Sequence, residues 1–393
     1  MFTTERQVSL RPDPDLSPSG PAARWQPAVP ALIYLGIRAF GVLVLAVLGN
    51  GSPVDRLTAW DGRWYLEIAA SGYDLPPVPD AEGYLNPFTP RAFFPGFPVV
   101  IRWISGACGL SQTTVAILVP AVAGVVAAYG LARLGRIVRG GSRRAGYLLV
   151  ALFAAAPMGV VLSMAYTEAL FCALAVWALI GVLERRWHLA GICCAFAGLV
   201  RSSALALVLA VALAALVSLP RERRGPAVAL LLAPLGLVGY LWWTGLRVHP
   251  EAGFAERLGT WSDLERQGWS TRFDGGVATT RFLWQSLTSP DAMTVLTVAV
   301  LLGYLVLLAV ALSRRLEWPL VTYGGAIVVM ALASSGLMHS KPRLLLPAFT
   351  LLVPVALGLA NRRRSSAVWT VAGVAAVSAW FGAYALSVWK YAI

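Results

Sequence analysis

Charge is what this chain has least of. Asp, Glu, Lys and Arg make up 13% of its 393 residues against 58% hydrophobic residues, and lysine occurs only at Lys341 and Lys390. A water-soluble globule of this length could not cover such an apolar excess with so few charges, so lipid must be part of its solvent. Cysteine is equally sparse: Cys108, Cys172, Cys193 and Cys194 show neither metal-ligand spacing nor a disulfide framework. Asp13-Pro14-Asp15 matches the Asp-x-Asp pattern of metal-dependent sugar transferases, but it stands in a polar, proline-rich stretch with no fold around it. No other carboxylate or histidine cluster has ligand spacing, so no metal and no other cofactor is expected. The alternation of barrel strands is absent too. Because a bilayer offers the backbone no hydrogen-bonding partners, only helices remain.

What is present is a series of long apolar runs, such as 31–49, 113–132, 145–162 and 367–386. Each approaches or reaches the roughly 20 residues that a helix needs to cross about 30 Å of hydrocarbon. The net charge of +13 and the pI near 10.1 would suit nucleic acid, but the arginines lie in short loops between the runs. They cluster at Arg133, Arg136, Arg139, Arg143 and Arg144, at Arg185 and Arg186, at Arg221, Arg223 and Arg224, at Arg314 and Arg315, and at Arg362 to Arg364. The positive-inside rule places all of them in the cytoplasm and excludes nucleic acid as a partner. Spans at 31–49, 113–132, 145–162, 166–183, 226–245, 291–313, 319–335, 344–360 and 367–386 satisfy that rule, with residues 1–28 as a disordered cytoplasmic tail. The stretch 189–219 must begin and end inside, yet it is too short for two crossings, which predicts a shallow helical hairpin with Arg201 at its tip. Residues 29–393 thus form one membrane domain, with external segments 50–112 and 246–290 that hold most of the carboxylates. No short apolar segment precedes the first span, so that span is expected to be an uncleaved anchor. The high Arg/Lys ratio with heavy Ala, Leu, Val and Gly usage points to a GC-rich bacterial genome, and hence to the plasma membrane.

Three motifs stand in order along the first half: Trp-Asp-Gly-Arg-Trp-Tyr at 60–65, Ala-Phe-Phe-Pro-Gly-Phe-Pro at 92–98, and Ala-Tyr-Thr-Glu-Ala-Leu-Phe at 165–171. Together they resemble the PIG-V family of mannosyltransferases, members of the GT-C superfamily. The resemblance covers roughly residues 30–215, and the second half is similar only in hydropathy and in its long external loop. It implies a GT-C fold, which with the nine spans and the short hairpin above gives an all-α GT-C-like bundle of about 11 transmembrane helices, two of them short, with loop helices outside the membrane. It also implies a polyprenyl- or dolichyl-phosphate mannose donor and a catalytic Asp in the first external loop, which falls on Asp61. Chemistry agrees with a single carboxylate: the sugar leaves as a stable lipid phosphate, so Asp61 need only deprotonate the acceptor hydroxyl. One-step displacement would invert the anomeric centre. Cationic side chains can stabilise the phosphate in place of a metal.

Each candidate also has a plainer reading. Thr58 and Asp61 fit a helix capping box. Arg63 and Glu67, four apart, fit a surface ion pair as well as a substrate contact. Trp60, Trp64 and Ile68 form one apolar stripe suited to the membrane interface. Tyr73 and Phe94 complete the expected substrate contacts of the first loop, and the run from Phe93 to Arg102 reads as a re-entrant or interfacial roof. Tyr166 and Glu168 stand at the outer end of a span, where an unpaired carboxylate is costly and a role is favoured. Arg201, His339, Lys341 and Arg343 either anchor helix ends or bind the donor phosphate. In the second loop Phe254, Leu258, Trp261 and Leu264 mark an amphipathic helix on the outer leaflet. The leading function is an inverting mannosyltransferase acting on a glycolipid or other hydroxyl acceptor among membrane lipids. The alternative is a transporter or flippase of a lipid-linked saccharide, disfavoured by the lack of an inverted repeat.

Overall fold

A computed structural model describes residues 26–49, 51–75, 78–79, 85–288 and 291–389. The expected tail falls almost wholly outside the described residues; only Gln26–Ala28 is seen, as a 3-10 turn running into the first long helix. Among the described residues, six helical stretches are long and apolar enough to cross a membrane: Gln26–Leu48, Gln112–Ile137, Arg224–Val248, Ala292–Ser313, Met338–Ala360 and Arg364–Ser387. Five shorter apolar helices accompany them: Gly96–Cys108, Glu168–Leu183, Trp187–Gly198, Ala204–Ser218 and Trp318–Leu332. Large apolar side chains face outward on the long helices, among them Leu43 at 60%, Val122 at 62% and Trp369 at 76% exposure. Such a surface suits lipid and not water. The protein is a polytopic helical membrane protein.

The Glu168–Leu183 helix is the axis of the bundle, enclosed on nearly every side. Small residues permit its neighbours to approach, as in other membrane bundles. Gly135 and Gly146 let the Gln112–Ile137 and Arg143–Ala154 helices touch backbone to backbone: a Cβ on Gly135 would lie 2.6 Å from the Gly146 Cα. At one end of the bundle the arginine-rich loops meet. Arg133 Nε donates to Glu184 at 2.7 Å, Arg144 to the Arg362 carbonyl at 2.8 Å, and Trp187 Nε1 to Glu222 at 2.8 Å. The loop at Arg139 donates its backbone N–H to Glu317 at 2.6 Å. The clusters expected on one side of the membrane are therefore joined at one end of the fold.

Several stretches depart from regular spans: 344–360 is 3-10 over Leu346–Leu352, 226–245 breaks between Leu232 and Leu235, and two further stretches depart more strongly. The run 145–162 is helical only through Ala154 and continues as a 3-10 turn at Gly159–Ser163. Pro157 lies between, and proline both lacks the N–H for a helical bond and restrains the residue before it. Buried Arg38 repairs part of the break by donating to the Gly159 carbonyl. The stretch 189–219 forms the two short helices Trp187–Gly198 and Ala204–Ser218 with Arg201 in the turn. At 1.5 Å per residue they extend only about 18 and 22 Å, short of the roughly 30 Å hydrocarbon core.

The end of the bundle remote from the arginine loops carries the irregular segments. Gly96 N–H donates to the Leu199 carbonyl at 2.7 Å, and a Cβ there would come within 2.8 Å of the same oxygen, so glycine alone allows this docking. Segment 91–94 is clamped by aromatics. Tyr240 donates to the Phe93 carbonyl at 2.7 Å, Tyr73 to the same oxygen at 2.8 Å, and Trp261 Nε1 to the Ala92 carbonyl at 2.9 Å. An antiparallel bridge between Phe273 and Ser334 ties segment 246–290 to the turn after Trp318–Leu332.

Candidate active site

Asp61 is the first residue of the Asp61–Ser71 helix. Trp60 before it adopts φ 51° and ψ −115°, a strained conformation for an aromatic residue of the kind that clusters at functional sites. No capping box forms: the Thr58 hydroxyl donates back to the Val54 carbonyl at 2.9 Å, and no side chain caps the helix. The reason is that Trp60 turns the chain, leaving the Asp61 carboxylate free to face another element. It meets Arg343, whose Nη1 donates to Asp61 Oδ2 at 2.6 Å.

Arg343 belongs to the short Lys341–Leu345 helix and is 7% exposed. Its Nε lies 3.7 Å from Glu168 Oε1, and its guanidinium sits 5.1 Å above the Tyr166 ring. Glu168 is 1% exposed at the first turn of the axial helix, where the helix dipole favours negative charge. Arg201, from the hairpin turn, pairs with Glu168 and donates to the Thr167 hydroxyl at 3.0 Å. Four elements distant in sequence thus deliver two carboxylates and two guanidiniums to one network. An uncompensated charge here would cost several kcal/mol, and the alternation of sign removes that cost. Arg343 Nε nevertheless has no hydrogen-bond partner among the described residues, nor has the buried Tyr166 hydroxyl.

The network lines a small cleft with a cavity volume of about 140 Å³, below the roughly 300–1,000 Å³ typical of small-molecule sites. Tyr65, Phe93, Phe94 and Val200 form its apolar wall, and Trp261, Glu265 and Trp269 enter from the Phe254–Trp269 helix. Residues 334–337 close the remaining side. Burial and the charge of Asp61 push the Glu265 carboxyl up to about 7, partly offset by Arg343 and Arg201. Among the described residues no group of three or more His, Cys, Asp or Glu side chains is placed to hold a metal ion.

The expected site residues divide into three groups. Asp61, Phe94, Arg201 and Arg343 line the cleft, and Tyr166 and Glu168 stand directly behind it. Trp60, Arg63 and Glu67 instead line a separate pocket of about 340 Å³ with Ala59 and Trp64, and Arg63 and Glu67 form no ion pair among the described residues. Tyr73, His339 and Lys341 serve the walls. Tyr73 holds the Phe93 carbonyl as above, while the His339 ring packs on Phe282 at 5.3 Å and lies 3.2 Å from the Thr294 hydroxyl. Lys341 is fully buried, donating to the Thr279 hydroxyl and the Ser334 carbonyl, both at 2.6 Å.

Glu265 and Trp269 escaped the sequence reading. The stripe Phe254, Leu258, Trp261 and Leu264 is only a partial guide: Leu264 is buried and Trp261 lines the cleft, whereas Phe254 is 64% exposed. Trp261, Glu265 and Trp269 at i, i+4 and i+8 share the face that enters the cleft, a spacing visible in the chain. Comparison of the chain with protein-family models and with curated proteins finds no match.

Proposed function

We propose that the protein is an inverting glycosyltransferase that moves mannose from polyprenyl-phosphate mannose to a hydroxyl of a lipid-linked or other extracytoplasmic acceptor. The reading includes a GT-C-like bundle of about 11 membrane segments, with the arginine-rich end cytoplasmic and the cleft opening outside the plasma membrane. The observation that carries it is the Asp61–Arg343 pair, a carboxylate and a guanidinium 2.6 Å apart in a cleft at the opposite end from the arginine loops.

Asp61 takes the proton of the acceptor hydroxyl as that oxygen attacks the anomeric carbon. The bond from that carbon to the phosphate oxygen breaks, and its electron pair leaves with the lipid phosphate. Attack from the face opposite the leaving group inverts the centre. Arg343 and Arg201 receive the negative charge that gathers on the phosphate. The unpartnered Nε–H of Arg343 supplies a hydrogen bond that no protein group uses. Because a guanidinium can hold two oxygens at once, Arg343 can keep Asp61 oriented while it binds phosphate.

The direct test is incubation of the purified protein with radiolabelled polyprenyl-phosphate mannose and membrane lipids, followed by identification of the labelled product. A mannosylated acceptor with inverted configuration is expected. Release of free mannose alone, or label that never leaves the donor, counts against the reading.

A further inference from the structure

We propose that Glu265 is the second proton-transfer group of the cleft, giving its proton to the departing phosphate while Asp61 takes one from the acceptor. The proposal rests on the glycosyl-transfer reading above and adds a residue to it.

The geometry begins with partners. Asp61 is paired with Arg343, and Glu168 with Arg201 and Arg343. Glu265 lines the same cleft yet has no ion pair and no side-chain hydrogen bond among the described residues. The cations around it are held elsewhere. Arg266, its neighbour on the helix, pairs with Asp263 at 2.8 Å, and Arg257 donates to the Pro250 carbonyl. Arg91, on the segment beneath, pairs with Asp74 at 2.9 Å, and Arg247 lies 5.9 Å over the Trp243 ring. Arg272 lines a different depression with Arg281. The polar groups that share the cleft with Glu265 are therefore Asp61 and Tyr65 from one helix, Thr167 from the axial helix cap, Arg201 and Ser202 from the hairpin turn, Thr271, Ser334 and Ser335 from the bridged segments, and Arg343.

Charge then sets the role. Asp61, Glu168, Arg201 and Arg343 sum to zero, so an arriving phosphodiester brings the first net negative charge, and bond cleavage adds a second. A third carboxylate facing them would oppose both. A neutral Glu265 removes that repulsion and offers a proton where charge develops. Burial and Asp61 hold it in that state to about pH 7. Two carboxyl groups in one site with divided environments are the pattern by which acid and base roles are separated.

The step balances. The acceptor proton passes to Asp61, the acceptor oxygen bonds to the anomeric carbon, and the carbon–phosphate oxygen bond breaks toward phosphate. The Glu265 proton ends on the phosphate monoester, whose second pKa near 6 lies within about one unit of that of Glu265, so the transfer is only about tenfold uphill. Asp61 is then protonated and Glu265 ionised, and water in the cleft returns the proton between them.

The test measures kcat against pH with polyprenyl-phosphate mannose for the wild type, Glu265→Gln and Glu265→Asp, and follows protonated carboxyl by infrared spectroscopy in ligand-free protein. In the wild type, kcat should be level below about pH 7 and fall as Glu265 ionises above it. Glu265→Gln keeps a hydrogen-bond donor but has no transferable proton, so kcat should drop by about 10²-fold or more and the alkaline limb should vanish, with donor KM nearly unchanged. Glu265→Asp should restore part of the rate together with a limb. The infrared band that titrates near neutrality should be missing from Glu265→Gln whatever the turnover. An active wild type matched by Glu265→Gln in rate and pH profile overturns the proposal alone. A wild type that never consumes the donor overturns the transferase reading, and the step with it.

Discussion

Lys341 and Arg343 stand two residues apart in the same short helix, both are buried cations, and they face different worlds. Lys341 Nζ is spent on a hydroxyl and a carbonyl, pinning the Val277–Gln285 helix to the turn at Ser334. Arg343 meets Asp61 in the cleft and Glu168 behind it, and keeps one N–H unused. Residues at i and i+2 point to different sides of a helix, so equal charge and neighbouring position do not make equal roles. What separates them is the partner: neutral acceptors fix a wall, whereas carboxylates beside a cavity build a site.

Substitutions at Asp61 and Arg343 should have the largest effects. Asp61→Asn removes the proposed base while preserving shape, and turnover should fall by on the order of 10²–10⁴ with donor binding retained. Near wild-type turnover in single-turnover assays would remove Asp61 from the mechanism. Arg343→Lys keeps the charge but cannot bridge Asp61, Glu168 and a phosphate, and a loss of about 10²-fold in kcat is expected. Steady-state kinetics that left this variant unimpaired would place Arg343 with Lys341, as a wall residue.

At the structural pole, Lys341→Met should behave in the opposite way. It leaves the Ser334 carbonyl and Thr279 hydroxyl without their donor, a cost of about 1–3 kcal/mol visible as a lower unfolding midpoint in detergent. Turnover per folded molecule should hold, and a kinetic loss without a shift in midpoint would erase the distinction. The smallest effect is expected from exhaustive chelation. With Arg201 and Arg343 available to the phosphate, EDTA should leave transfer intact, and recovery of lost activity by added Mg²⁺ or Mn²⁺ would show that the cations alone are insufficient.

Much of the architecture was legible in the chain. Six of the nine expected spans contain a helix long and apolar enough to cross a membrane, 166–183 and 319–335 contain shorter apolar helices, and 145–162 contains neither; Arg201 stands in the turn between two short helices. The break after Ala154 was signalled by Pro157 but was overridden by the hydropathy of 145–162. Asp61 stood out through its motif and Arg343 through its place at a helix end. Lys341 and His339 stood out in the same way, and nothing local told them from Arg343. Glu265 was hidden by a competing stripe, because an amphipathic helix at an interface offers two faces to bury and only its neighbours decide between them.

Partition into the membrane was determined by the sequence alone, because lipid is a uniform solvent that reads the hydropathy of about 20 consecutive residues without regard to the rest. The loop arginines sort together for the same reason, each cluster responding on its own to charge and water. The site is another matter. Asp61 and Arg343 are 282 residues apart, and Glu168, Arg201 and Glu265 come from three further elements. Which buried charges meet depends on the angles at which helices pack. Those angles are set by contacts such as Gly135 on Gly146 and Gly96 on Leu199, each between segments distant in the chain or turned by a bend. A charge in a low-dielectric interior is stabilised only by the partner that arrives beside it, and that arrival is a property of the assembled fold.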